Sequence, residues 1–362
     1  MYIYLTFYAL IVLLGIKIDN SPKYANKRFY LFLIFALLIC FSVFRQDLGT
    51  DIGRYTRDYE TVYNLPWFSI ISGFDAIPYD FLFSLLYVVF GNILKLDFWS
   101  IKLFISLIFC FGFYKFSKKI DNFALSAIIF VPVLYYFISF SLLRQSISIC
   151  LGLYVVTLIM ERKYSLSYLI TLIGLLFHKY FFIFFIIIIL NFVISNPKNF
   201  KKMFKYLLIL FFSVLLFALF YNYALRGHYN WYVISSPSNH ELQYPFLKLL
   251  FLNYSYFIIF YFISLSNFKN FDLEDRLIFI FILFGILFLI IYPFSDIVTL
   301  RFMMYFIVIN PLIIMKLMKF LNNRADNIIL ILLFLLHSAY MVFFFNFSTH
   351  KGSFIPYKLY FF

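Results

Sequence analysis

Two short stretches of the chain place an arginine beside amide, hydroxyl and carboxylate groups. The first reads Phe44-Arg45-Gln46-Asp47-Leu48-Gly49-Thr50-Asp51 and is followed by Tyr55. A guanidinium offers a planar set of donors that can hold a phosphate through two hydrogen bonds, and Gly49 permits a tight turn that would bring Asp51 back toward the membrane. The stretch therefore indicates an anion site. The alternative is an Arg45 ion pair with Asp47 or Asp51 that only anchors a loop.

The second stretch, Ser141-Leu142-Leu143-Arg144-Gln145-Ser146-Ile147-Ser148, lies at the start of an apolar run. Arg144, Ser148 and Gly152 recur at i, i+4 and i+8, which places them on one face of a helix. An arginine near the membrane interior costs several kcal/mol unless it is paired or solvated, so such residues usually face a water-filled cavity or a ligand. Arg144 is therefore a candidate site residue. The alternative is a side chain that reaches out to the interface.

Further candidates lie at His178, which ends an apolar run, and at Arg301, which is followed one turn later by Tyr305. A histidine there could be a base, a hydrogen-bond donor or a simple interfacial residue. Arg45, Arg144 and Arg301 begin or end three separate predicted helices on one predicted side of the membrane. A diphosphate carries enough charge for several of them, so the three together predict a diphosphate site better than any one alone.

Several other chemistries lack their motifs in this sequence. It contains no nucleotide-binding Gly-rich loop, no His-Glu-x-x-His and no Gly-x-Ser-x-Gly. Cys40, Cys110 and Cys150 fall inside apolar runs without Cys-x-x-Cys spacing, so we expect neither a disulfide nor a metal site. The acidic run Asp272-Leu273-Glu274-Asp275 resembles a metal-binding motif superficially, but it lies in a predicted cytoplasmic loop, and we assign it to a solvated turn.

The elements that must position these residues are membrane helices. The 362 residues are 64% apolar and only 13% charged, which excludes a soluble globular protein. A bilayer core of about 30 Å requires roughly 20 mostly apolar residues per helix. The sequence therefore predicts an all-α, polytopic bundle of 12 or 13 membrane helices, the first of them retained. The apolar runs lie at 2–16, 29–44, 81–94, 98–116, 123–140, 142–160, 166–177, 180–194, 203–223, 247–265, 277–293, 302–317 and 328–345.

The formal charge of +14 orients this bundle and does not indicate nucleic acid binding. Basic residues cluster at 17–28, 115–119, 162–163, 198–205, 269–276 and 316–324, and such clusters face the cytoplasm. This arrangement places Arg144, His178, Arg301 and the 45–80 and 224–245 loops outside. Two apolar runs then lie between the 45–80 loop and the 115–119 cluster, where an odd number of crossings is required. One of them is therefore re-entrant or interfacial, or the first helix is misoriented.

The two outer loops carry groups that suit sugars. The 45–80 loop holds six of the sixteen carboxylates, and the 224–245 loop is rich in Tyr, Ser and Asn and contains Arg226 and His240. Aromatic faces beside polar groups can stack on sugar rings and bind their hydroxyls, although an interfacial aromatic belt would have the same composition. No linker or internal repeat divides residues 1–362, so we predict a single transmembrane domain.

Five of these motifs, in this order, resemble the EpsG-like branch of the Wzy polysaccharide polymerases. They are the Arg45…Gly49-Thr50-Asp51…Tyr55 stretch, Leu143-Arg144-Gln145, Arg162-Lys163, His178 and Arg301…Tyr305, and they extend over nearly the whole chain. The sequence departs from the family at Ile77-Pro78-Tyr79-Asp80, where a Glu-Pro pair usually starts the third helix. This departure argues against a role for an acid at that position.

The resemblance implies a GT-C-like glycosyltransferase of the bacterial inner membrane that polymerises O-antigen, capsule or exopolysaccharide. It would transfer a chain from undecaprenyl diphosphate to a lipid-linked repeat unit on the periplasmic or outer face, without metal or nucleotide sugar, beside a chain-length regulator and a flippase. The implied catalytic residues are Asp51, His178, Arg144 and Arg301. The implied substrate-binding residues are Arg45, Gln46, Gly49, Tyr55, Gln145 and Tyr305, and the outer loop adds Arg226 and His240.

Other membrane functions would use similar residues. A lipid-linked glycan flippase would also line a cavity with arginines, but transporters often carry repeated halves, which this sequence does not show. An O-antigen ligase would differ mainly in its acceptor. A membrane O-acyltransferase and a purely structural subunit are the remaining alternatives.

Overall fold

The computed structural model describes residues 1–45, 51–66, 79–138, 142–194, 272–291, 304–320 and 326–347. These residues are almost entirely helical, as expected where lipid offers the backbone no hydrogen-bonding partner. The helices are α1 (Tyr2–Asp19), α2 (Tyr24–Val43), α3 (Ile52–Tyr63), α4 (Phe81–Tyr87), α5 (Trp99–Ile120), α6 (Phe123–Phe130), α7 (Leu143–Met160), α8 (Tyr164–Phe177), α9 (Ile183–Ile194), α10 (Leu273–Ile291), α11 (Asn310–Phe320) and α12 (Asp326–Phe347). Helices α4 and α6 continue as π-helices, Val88–Ile93 and Val131–Ile138.

Five of the described helices, namely α1, α2, α5, α7 and α12, are long and apolar enough to cross a membrane. This confirms the predicted polytopic helical fold. Helix α7 is the central helix, since 83% of its span is buried inside the protein, whereas only 22% of the α12 span is buried. The chain divides into two compact units, 1–182 with 318–362, and 183–317.

In the first unit, tyrosine hydroxyls bind backbone carbonyls of neighbouring helices. Tyr8 donates to the carbonyl of Ile128 at 3.1 Å, and Tyr136 donates to that of Tyr4 at 2.8 Å. The first bond holds α1 against α6, and the second holds α1 against the π-helical extension of α6. Pro132 lies in that extension, where its missing N–H removes one α-helical hydrogen bond. These tyrosine hydroxyls thus find hydrogen-bond acceptors within an apolar bundle.

Two glycines allow helix backbones to approach closely. A Cβ atom on Gly112 of α5 would overlap the carbonyl oxygen of Cys150 in α7. A Cβ on Gly15 of α1 would lie 2.9 Å from the Cα of Ala124 in α6. Small residues at such crossings are the usual means by which membrane helices pack. The α5–α7 and α1–α6 contacts therefore depend on these positions.

Carboxylate and amide oxygens bind the free N–H groups at the start of α6. Asp19, the last residue of α1, accepts from the backbone N–H groups of Phe123 and Ala124, both at 2.9 Å. The side chain of Asn122 accepts from the N–H of Leu125 at 2.8 Å. Because a carboxylate also interacts favourably with the positive end of the helix, Asp19 fixes the junction between α1 and α6.

The connection between α2 and α5 begins and ends at the same end of the bundle. The carbonyl of Arg45, just after α2, accepts a hydrogen bond from Nζ of Lys102 in the first turn of α5 at 3.0 Å. The chain therefore makes no net crossing between α2 and α5. Of the two apolar runs, α5 is long and apolar enough to cross a membrane, whereas the helical segment Phe81–Ile93 is shorter. This agrees with a single crossing by α5, which stays a prediction.

Residues 52–63, which we assigned to a loop, form an amphipathic helix. Its buried side chains are Ile52, Tyr55, Tyr59 and Val62, spaced at helical intervals. Helix α4 and its π-helical extension run alongside α3 in the same direction. Asn92 at the far end donates to the carbonyl of Leu65 at 2.6 Å. The hydropathy reading missed α3 because the helix has one apolar face and no apolar run.

In the second unit, α9 packs against α10 through aromatic rings. Phe184 meets Phe281 edge to face, with ring centroids 6.1 Å apart. At the start of α10, Lys316 of α11 contacts the carboxylates of Asp272, Glu274 and Asp275, the last two at 3.2 and 3.3 Å. The acidic run that we assigned to a solvated turn therefore surrounds one lysine.

Candidate active site

Arg144 lies in the first turn of α7 and is held on two sides. Its Nη1 donates to Oδ2 of Asp80 at 3.1 Å, and its guanidinium carbon lies 4.6 Å from the centre of the Tyr79 ring. The Tyr55 side chain is a further hydrogen-bond partner. About a quarter of the Arg144 side chain and a fifth of the Asp80 side chain are exposed. The guanidinium is therefore fixed in position and yet reachable from outside the protein.

Helix α3 supplies the opposite wall of this cluster. The hydroxyl of Tyr79 donates to Oδ2 of Asp58, and the Tyr55 and Tyr79 rings are 5.6 Å apart. Tyr87 donates to the backbone carbonyl of Tyr55 at 3.2 Å. These residues are packed on a buried aromatic cluster, so the three tyrosines hold the carboxylates and the guanidinium in a fixed arrangement. We call Tyr55, Asp58, Tyr79, Asp80 and Arg144 the Arg144 cluster.

The hydroxyl of Tyr79 is a permanent donor in this cluster. Burial, and then the hydrogen bond to Asp58, raise the pKa of Tyr79 well above that of a free tyrosine. The hydroxyl therefore stays protonated at any pH at which the protein functions. Arg54, whose Nε is 3.7 Å from Oδ2 of Asp58, is mostly exposed and adds only a screened charge.

Asp51 and His178, the predicted acid–base candidates, both lie at the same end of the bundle as Arg144. Asp51 is exposed and directly precedes α3, and its carbonyl accepts the N–H of Tyr55 at 3.2 Å. His178 caps α8 and is only 5% exposed. The carbonyl of Gly174, which accepts the His178 N–H at 3.0 Å, also accepts the hydroxyl of Ser148 at 3.2 Å. His178 is thus tied to the helix that carries Arg144, one turn deeper.

Two further predicted residues are buried. Arg45 is fully buried at the end of α2, where its carbonyl binds Lys102, itself 1% exposed. Gln145, the neighbour of Arg144 on α7, is 2% exposed. Two buried cations, from α2 and α5, therefore lie at the same end of the bundle as the Arg144 cluster. Lys102 was not predicted as a site residue because it lies inside an apolar run.

The remaining predicted site residues lie in the second unit or outside the described residues. Tyr305 is fully buried in the second unit, where the centroids of its ring and of the Phe184 ring are 6.0 Å apart. The others lie outside the described residues and stay predictions: Gln46, Gly49, Arg226, His240 and Arg301.

Sequence reasoning passed over three members of the Arg144 cluster, and each had a signal. Asp80 directly precedes the apolar run of α4, as Arg144 opens that of α7. Tyr79 is its neighbour, and Asp58 follows Tyr55 by one helical turn. The family departure argued against an acid at this place, yet the structure sets Asp80 against Arg144. Among the described residues, no three His, Cys, Asp or Glu side chains are grouped so that they could hold a metal ion.

Comparison with known proteins gives one match. The sequence profile of the EpsG family matches residues 28–359, which is nearly the whole chain. No curated protein and no solved structure matches the chain significantly. The match includes every member of the Arg144 cluster.

Proposed function

The chain belongs to the EpsG family, and from this membership and the Arg144 cluster we propose that it is a polysaccharide polymerase that uses a lipid-diphosphate-linked glycan. The family is associated with membrane polysaccharide polymerases of the glycosyltransferase type. The observation that carries the finer proposal is a partly exposed guanidinium fixed at one end of a membrane bundle. The donor would be a glycan on undecaprenyl diphosphate, and the acceptor a second lipid-linked repeat unit.

A lipid diphosphate is a good leaving group once its developing charge is neutralised, so cations matter more to this reaction than a general acid. Arg144 can supply that charge. Asp80 uses one of the five N–H donors of the guanidinium, and the planar fork leaves others for phosphate oxygens. Tyr79 covers one face of the group and keeps it from rotating. Arg301 is the predicted second cation.

The transfer would proceed by direct displacement. An acceptor hydroxyl attacks the anomeric carbon, the bond from that carbon to the diphosphate oxygen breaks, and the electron pair leaves with the diphosphate. The hydroxyl proton passes to a base, a role for which exposed Asp51 is better placed than buried His178. Attack opposite the leaving group inverts the anomeric centre. None of these steps requires a nucleotide sugar.

The proposed orientation follows the basic clusters. Lys115, Lys118 and Lys119 end α5 at the opposite end of the bundle from Arg144, and such clusters face the cytoplasm. The Arg144 cluster then faces the periplasm or the cell exterior, where lipid-linked units await polymerisation. A bacterial inner membrane is the location that this substrate implies.

Reconstitution tests the proposal directly. The full chain in proteoliposomes, given purified undecaprenyl-diphosphate-linked repeat units and no nucleotide sugar, should form a ladder of products on a gel. Arg144→Ala should abolish the ladder, and Lys163→Ala at the opposite end should leave it unchanged. Movement of the lipid-linked unit across the bilayer without any longer product would refute polymerisation and favour a flippase. A normal ladder from Arg144→Ala would refute the role of the guanidinium.

A further inference from the structure

A cavity lies on a different side of α3 from the Arg144 cluster. It has a volume of about 880 Å³, within the range of small-molecule sites. Its walls are the last turn of α2, one side of α3 and the first turn of α5. On α3, Thr56, Glu60 and Tyr63 follow each other at helical spacing and face this cavity, whereas Tyr55 and Asp58 face Arg144. We call it the α3 groove.

The charged groups that line the α3 groove are carboxylates alone, whereas the Arg144 cluster combines a guanidinium with two carboxylates. Glu60 of α3 and Asp97, just before α5, are both exposed and line it. None of the described residues that line the groove is basic. Two carboxylates without a lining cation repel a phosphate but accept hydrogen bonds from neutral hydroxyls. The nearest amino groups, those of Lys95 and Lys102, lie behind the Tyr63 and Phe98 rings of its wall. The groove therefore suits neutral hydroxyls better than a diphosphate.

Aromatic rings form much of the remaining wall. Trp99 of α5 and Phe44 at the end of α2 line the groove and are 40% and 42% exposed, and Tyr63 of α3, also in the wall, is partly buried. Exposed aromatic faces beside hydroxyl acceptors suit a sugar ring, whose C–H surface stacks while its hydroxyls are bound. The apolar side chains of Val43 and Leu103 line the membrane side.

We propose that the α3 groove binds a sugar of the acceptor repeat unit, while the Arg144 cluster holds the diphosphate of the donor. This assignment rests on the proposed function. One 12-residue helix separates the two sites, so the reacting hydroxyl would lie on a part of the acceptor that extends past α3 toward Arg144. The groove then contributes to the choice of acceptor sugar, and the arginine does not.

Cys40 provides a native reporter of groove occupancy. It lines the groove and is exposed, whereas Cys110 and Cys150 are buried and serve as internal controls. The full chain in lipid nanodiscs is treated with N-ethylmaleimide, which is small and membrane-permeant, and labelling is followed by mass spectrometry. The probe is the oligosaccharide released by mild acid from the surface polysaccharide of the host, which carries no diphosphate. It should slow labelling of Cys40 without changing that of the other two.

Variants assign this protection to the groove. Trp99→Ala and Glu60→Gln should each raise the oligosaccharide concentration that gives half-protection by about tenfold, the loss of one stacking or charged contact. Trp99→Phe should restore protection because it keeps a ring. Glu161→Gln, the same change at the opposite end of the bundle, should have no effect. Protection that survives both Trp99→Ala and Glu60→Gln would overturn the assignment.

Two comparisons separate this proposal from the proposed function. Arg144→Ala should lose polymerisation yet keep protection of Cys40. Wild-type protein that polymerises but shows no protection would refute the groove alone, and protection without polymerisation would refute the polymerase alone. Protection by inorganic pyrophosphate, or a labelling rate that responds only to the lipid composition of the nanodisc, would also overturn a sugar site.

Discussion

Replacing Asp80 by asparagine tests whether this carboxylate acts through Arg144. The two side chains are joined by a hydrogen bond of 3.1 Å. About three-quarters of the Arg144 side chain and four-fifths of the Asp80 side chain are buried. At an effective dielectric constant near 20, charges at that distance attract by about 5 kcal/mol. Desolvation cancels much of this, and charged hydrogen bonds contribute about 1.5–3 kcal/mol net. Because the pair is partly exposed, we expect about 1.5–2 kcal/mol.

If that energy positions the guanidinium for the transition state, Asp80→Asn should slow polymerisation about 10- to 30-fold. Arg144→Ala removes the donor itself and should cost at least 10²-fold, as for an oxyanion-binding group. In the double variant, Asp80→Asn should cost nothing further, because the side chain that it positions is gone. Initial rates with radiolabelled donor in proteoliposomes give the range that this cycle requires.

The matched control is Glu161→Gln, which removes the charge from an exposed pair with Lys163 at the opposite end of the bundle. It should leave the rate within about twofold, since exposed pairs contribute little. Additive losses from Asp80→Asn and Arg144→Ala would show that Asp80 acts independently of the guanidinium, and the reasoning would then fail.

Three further predictions concern packing and topology. Gly112→Ala should lower the amount of folded protein in the membrane, because its Cβ overlaps the backbone of α7 at a cost of about 1–3 kcal/mol or more. Gly53→Ala, with open space around it, should not lower that amount. Equal amounts of the two variants would contradict this prediction. Asp19→Ala should lower the unfolding temperature in detergent, since the carboxylate that caps the start of α6 contributes about 1–2 kcal/mol. An unchanged unfolding temperature would exclude this cap as a determinant of stability. With the native cysteines replaced by serine, Asp97→Cys and Glu161→Cys should react with an impermeant maleimide from opposite sides of the membrane; reaction from one side would disprove the single crossing by α5.

The sequence predicted the bundle well because apolar runs are a local signal. The described spans agree with it to within a few residues at α1, α5 and α7. Amphipathic α3 escaped because hydropathy averages its two faces, although Ile52, Tyr55 and Tyr59 repeat at helical intervals. The requirement for an odd number of crossings pointed to residues 81–116, and the contact between Arg45 and Lys102 shows that the segment between α2 and α5 begins and ends at the same end of the bundle.

The candidate site was harder to predict because its contacts are long-range. Arg144 could be found from its own position, since an arginine that opens a membrane helix is costly without a partner. Its partner, Asp80, lies 64 residues away, and only the tertiary packing, in which α4 contacts α8, brings the two together. The family pattern expects an acid in a Glu-Pro pair at the place of Ile77-Pro78, three residues before Asp80, and gave no indication of that contact.

The hydrogen bond between Lys102 and the carbonyl of Arg45 also affects how this protein could diversify. It fastens the base of a closed loop, residues 46–98, that carries Asp58, Asp80 and the α3 side of the groove while the scaffold helices continue on either side. If the α3 groove binds the acceptor sugar as proposed, exchanging residues 46–98 between related chains should change the acceptor while the helices on either side are kept.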